Sequence, residues 1–116
     1  MVTEEVRVLK RRHLIYYLEV YDYKSNELVG HLVDITPKGI KLVSKKPIET
    51  GKAFILQMML PEGYFKHKLL KFECESQWCK NDVNPDFFVT GFAVKDVDLE
   101  AKEIILKLIK QLGFND

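Results

Sequence analysis

Leu70-Lys71-Phe72-Glu73-Cys74-Glu75-Ser76-Gln77-Trp78 is the most regular stretch of this chain. Apolar or small residues hold one parity and charged or amide residues the other. That is the period of a β-strand with one buried face and one wet face. The alternation puts Trp78 on the buried side with Leu70, Phe72 and Cys74. Extended to Cys79, it sends the two cysteines to opposite faces, so they are poor disulfide partners and Cys74 reads as a small buried hydrophobe.

Similar runs lie on either side. Leu14 to Tyr23 is aromatic, branched or aliphatic, with Leu14, Tyr16, Leu18 and Val20 on one face. Lys24-Ser-Asn-Glu27 is a polar turn, and Leu28 to Ile35 completes a hairpin. Ile40 to Ser44 follows the turn Thr36-Pro37-Lys38-Gly39, and Pro47 and Gly51 punctuate the next loop. Ala53 to Leu60 is a fourth strand, closed by Pro61-Glu62-Gly63. After a polar loop over 80–86, Phe87 to Lys95 is the sixth strand, and Gly91 inside it marks a bulge or a close backbone approach.

The period then changes. Ile104, Ile105, Leu108, Ile109 and Leu112 form one apolar stripe at helical spacing. Asp98 suits the N-cap, Glu100 and Glu103 the positive end, and Lys107 and Lys110 the negative end. Gly113 suits the left-handed position after the last turn, with Phe114 making the accompanying apolar contact. The fold class is therefore mainly β: six antiparallel strands closed into a small barrel, with a C-terminal helix packed against it.

With 116 residues the chain is one domain, divided into a basic arm over 1–13 and a barrel with its helix over 14–116. A formal net charge of +1 gives no case for duplex DNA or an acidic membrane surface. No stretch approaches the roughly 20 apolar residues that cross a bilayer, and the N-terminus has no signal-peptide core, so a cytoplasmic location is expected. His13, His31 and His67 do not cluster as metal ligands, and no metal or cofactor is expected. Glu73 and Glu75 share a strand face but read as solvated charges. No nucleophile has an identifiable activating base, so the chain is not expected to be an enzyme. Stacking of single-stranded nucleic acid on Tyr16, Tyr17, Tyr21 or Tyr23 is disfavoured by the near-neutral charge. Tyr17 and Tyr21, or Tyr64 and Phe65, offer a surface for a partner or a homodimer.

Two short segments carry the chemistry. Arg7-Val-Leu-Lys-Arg11, followed by Arg12, is a basic arm, and Asp34-Ile-Thr-Pro-Lys-Gly39 is a polar turn one hairpin downstream. Guanidinium forks match the O6/N7 edge of guanine and the oxygens of a phosphate. Asp and Thr side chains on a turn can meet the opposite edge of a purine. Together they describe a cradle for a small anionic guanine nucleotide. The plainer reading of the turn is that Asp34 and Thr36 bond their own backbone.

These segments resemble the R-x-x-x-R and D/N-x-S-x-x-G motifs of PilZ domains, which are receptors for cyclic di-GMP. The resemblance in element order runs from about Arg7 to Phe114. It implies that Arg7 and Arg11 take the arginine positions and Arg12 extends the patch, stacking on guanine faces, bonding their edges and neutralising phosphates, with Lys10 a bystander. Asp34 would accept from a guanine's N1–H and exocyclic amine, Thr36 would stand for the usual serine, and Gly39 would supply conformational freedom or close approach where the strand restarts. The arm can also be aligned from Arg12, which places Tyr16 at the second arginine position. The resemblance further implies an arm ordered by ligand and a downstream protein partner. The alternative is a PilZ-like fold acting as a protein-interaction module without nucleotide.

Overall fold

The structure, a computed structural model, describes residues 18–61, 63 and 65–112. Its strands are β1 (Glu19–Asp22), β2 (Leu28–Thr36), β3 (Gly39–Ser44), β4 (Ala53–Met59), β5 (Leu69–Asn81) and β6 (Phe88–Val94), followed by the helix α1 (Leu99–Leu112). The strands close into a barrel in the order β1-β2-β3-β6-β5-β4, with every neighbouring pair antiparallel. Six strands and one helix match the expected architecture. Of the expected first strand, 14–17 lie outside the described residues, as do Gly113 and Phe114.

Inside the barrel Val20, Leu32, Ile35, Leu42, Leu56 and Met58 are fully buried. The helix begins where its sequence signals: Asp98 Oδ1 accepts from the Ala101 N–H at 2.7 Å, satisfying an otherwise orphaned donor. Its stripe then closes over β2 and β5, with Ala101, Ile105 and Leu108 buried and Ile104 and Ile109 packed at the margin. Ser76 holds the loop before β4 from inside β5. Its hydroxyl donates to the Glu49 carbonyl at 2.6 Å and accepts from the Lys52 N–H at 3.1 Å.

Two bulges set which side chains face outward. Residues directly opposite one another in an antiparallel pair share a face. Leu32 pairs with Leu42 inside, and the next pairing is Asp34 with Lys41, so Val33 is an extra residue on β2. Ser76 pairs with buried Phe92, and the next pairing is Trp78 with Gly91, so Gln77 is extra on β5. Each bulge flips the parity that follows it. Asp34 thereby faces outward between the buried Leu32 and Ile35. Trp78 also turns outward, which corrects the buried position that plain alternation assigns it. Cys79, opposite the buried Thr90, lies on the same face as Cys74 rather than the opposite one. At ~3.3 Å per strand residue they stand on the order of 15 Å apart, well past disulfide reach, and both are free thiols.

Candidate functional site

Asp34 pairs with Lys41, Lys41 with Gly91, and Gly91 with Trp78. These four residues make one straight row on the outer wall of the barrel, crossing β2, β3, β6 and β5. The next row outward on β2 is Thr36, Gly39, Ala93 and Glu75. With strands ~4.8 Å apart, each row is roughly 14 Å long. The rows form the floor of a depression of about 290 Å³ whose lining includes Asp34, Thr36, Lys41, Gln77 and Trp78. A missing side chain shapes its centre. A β-carbon at Gly91 would collide with the indole ring of Trp78. The ring therefore lies against the β6 backbone at Gly91, with the Lys80 ammonium 5.2 Å from its centroid.

The turn at the other end of the row divides its polar groups between structure and surface. Thr36 Oγ1 accepts from the N–H groups of Gly39 at 3.1 Å and Lys38 at 3.2 Å, and its hydroxyl lies 3.4 Å from the Gly39 carbonyl, to which it donates. Its hydroxyl serves the turn, as the plainer reading anticipates. Asp34 is different. Its Oδ1 accepts from the Ile35 N–H at 2.9 Å, and its other oxygen has no partner among the described residues. Gly39 is required by close approach rather than by backbone handedness, since a β-carbon there would sit 2.9 Å from the Phe92 carbonyl oxygen.

Among the solved structures to which the chain is similar, two are alike over most of its length. One is the PilZ domain of YcgR from Escherichia coli with c-di-GMP, at a TM-score of 0.64 and 12% identity, covering 85% of this chain and 84% of that one. The other is the Bacillus subtilis inhibitor of motility MotI/DgrA, at a TM-score of 0.65 and 18% identity, covering 83% of this chain. The chain has a PilZ-like fold. It spans about half of MotI/DgrA, 47% of that chain. No protein-family model matches the sequence, and no curated protein does.

On this PilZ-like barrel Asp34, Thr36 and Gly39 come together at one depression. Arg7, Arg11, Arg12 and Tyr16 lie outside the described residues. The described chain begins at Leu18, whose carbonyl accepts from the Leu32 N–H at 2.9 Å, one pleat along β2 from Asp34. Because Arg7, Arg11 and Arg12 are all the arginines of the sequence, the depression's own cation is a lysine, Lys41. Trp78, Gly91, Lys41 and Gln77 also line the depression, and the sequence motifs do not single them out as candidates. A glycine within a strand signals a close approach at Gly91, but only the bulge at Gln77 shows that the approaching group is Trp78.

A larger groove of about 510 Å³ lies at the other ends of β2 and β3, between Leu28, Val43, Lys46 and Phe87, and holds no motif residue. No metal-ligand cluster occurs among the described residues. No helix among them is long and apolar enough to cross a membrane.

Proposed function

We propose that this PilZ-like barrel is a receptor for cyclic di-GMP, binding it over the Asp34–Trp78 row and carrying out no reaction on it. The observation that carries the reading is the row itself. It sets a half-buried carboxylate, one oxygen of which has no partner among the described residues, a lysine and an exposed indole side by side on one wall. The free oxygen of Asp34 would accept from N1–H and the exocyclic amine of one guanine. Trp78 supplies a face for a base to stack on, worth roughly 1–3 kcal/mol per base. Lys41, between them, stands where a phosphate can be neutralised.

The arm completes the cradle in this reading. Arg7, Arg11 and Arg12 would bring forked donors to base edges and phosphates, which lysine does less well. The stretch from Arg11 to Leu18 can extend on the order of 20 Å, longer than the row it would cross. Support also comes from the E. coli YcgR PilZ domain, whose structure is described with c-di-GMP and which is similar over 84% of its length. A cytoplasmic location and a downstream protein partner that reads the ordered arm go with this proposal.

Isothermal calorimetry with cyclic di-GMP tests it, backed by a thermal shift. A ligand selective for the folded state at 100 times its dissociation constant adds ~2.7 kcal/mol of stability. Arg11→Ala and Asp34→Ala should each weaken binding with the fold intact. No heat and no shift at saturating ligand would leave the interaction-module reading in its place.

A further inference from the structure

We infer that Gln77 is a specificity-determining contact of this site and reads the exocyclic amine of a guanine stacked at Trp78. The inference rests on the receptor reading above. Gln77 is the residue that the β5 bulge adds. It faces no partner on β6, because the ladder passes from Ser76–Phe92 directly to Trp78–Gly91. Its exposed side chain lines the depression immediately beside the indole.

The orientation of its carboxamide follows from its contacts with Glu75. Gln77 Nε2 donates to the Glu75 backbone carbonyl at 3.2 Å and to Glu75 Oε1 at 3.4 Å. Turning the amide over would bring its oxygen against that carbonyl and that carboxylate, three acceptors with no hydrogen among them. Repulsion therefore keeps the nitrogen toward Glu75. The nitrogen is then engaged by Glu75, and Oε1 is left as an acceptor without a donor among the described residues.

An acceptor beside a stacking platform selects for a base that presents a donor there. Guanine presents its exocyclic amine, and hypoxanthine has the same ring and carbonyl without it. The site thus has an acceptor at each end of the row, Asp34 on β2 and Gln77 on β5. Cyclic di-GMP carries two guanines, one for each. A site built to hydrogen-bond a group discriminates against the analogue lacking it, because the site's polar atom loses its partner.

The experiment is a calorimetric cycle with cyclic di-GMP and cyclic di-inosine monophosphate on the full chain and on Gln77→Met and Gln77→Ala. Melting temperature and Trp78 emission serve as folding controls. Both variants should weaken cyclic di-GMP by roughly tenfold, the scale of one hydrogen bond. Their affinity for the inosine ligand should stay within about twofold, because that ligand has no amine to lose a partner. Equal weakening of both ligands, or unchanged affinity for both, overturns the assignment while leaving the receptor reading in place. Absence of cyclic di-GMP binding by the unsubstituted chain overturns the receptor reading and this inference with it.

Discussion

Trp78 and Gly91 face each other in register on the outer wall of the barrel, and the indole occupies the space that a β-carbon on Gly91 would need. Gly91→Ala must therefore push the ring off the β6 backbone. Trp78 is the chain's only tryptophan, so its emission reports directly on the site. Gly91→Ala should shift that emission to longer wavelength as the ring moves into water, and weaken cyclic di-GMP about tenfold. Stability should fall by roughly 1–3 kcal/mol, the usual cost of overpacking. An unchanged emission spectrum would mean that the indole does not depend on the glycine for its position.

Among the described residues two fully buried hydroxyls, Ser76 and Thr90, carry opposite expectations. Ser76 joins the Glu49 carbonyl to the Lys52 N–H, so Ser76→Ala leaves both without that partner and should cost ~1–3 kcal/mol in urea unfolding. Thr90 Oγ1 has no partner among the described residues. Thr90→Val keeps the shape and removes the desolvated oxygen, so it should raise stability by about 1 kcal/mol. A loss on Thr90→Val comparable to that of Ser76→Ala would show that Thr90 makes a bond of its own.

Most of the architecture is legible in the sequence because periodicity is a local signal. The stripe from Ile104 to Leu112, the N-cap at Asp98 and the alternation from Leu70 to Ser76 each follow from residues within a turn or two of one another. The bulges do not. Val33 and Gln77 are extra only with respect to the strands they pair with, and nothing in either stretch announces the slip. Yet those slips decide the site, since one turns Asp34 outward and the other turns Trp78 outward. The turn motif is therefore readable from the sequence, while plain alternation puts the aromatic end of the same depression in the core. Gly91 was the available hint, and it required knowledge of which strand lies beside it.

Cys74 gives the fold a pH signature. Burial pushes its thiol from the ordinary 9.0 up to about 12, with the charge of Lys95 offsetting a part. The unfolded chain loses this proton near 9.0 and the native chain near 12, so between those values the native state binds more protons. Stability from this group is fully present below pH 9.0 and declines as pH rises toward 12. Urea titrations across that window should show the decline, and Cys74→Ala should flatten it relative to the unsubstituted chain. A thiol reagent at neutral pH should leave Cys74 unlabelled in the native state. Identical pH profiles for the two chains would place the alkaline transition elsewhere.

Asp34 and Thr36 belong to one motif but do different work, and their variants should separate. Asp34 commits one carboxylate oxygen to the Ile35 N–H and its other oxygen has no partner among the described residues, whereas Thr36 is engaged by the backbone of Lys38 and Gly39. Asp34→Asn keeps an oxygen for Ile35 but replaces the charged acceptor with a neutral amide. Affinity for cyclic di-GMP should fall about tenfold to a hundredfold, as for a lost hydrogen bond to a charged group, with little change in melting temperature. Thr36→Val removes the hydroxyl that closes the β2–β3 turn, so it should cost ~1 kcal/mol of stability. Its effect on affinity should be the smaller of the two, arising only as the turn loosens around Gly39. Calorimetry and melting on the two variants decide the point. If Thr36→Val abolished binding at an unchanged melting temperature, its hydroxyl would be meeting the ligand rather than holding the turn.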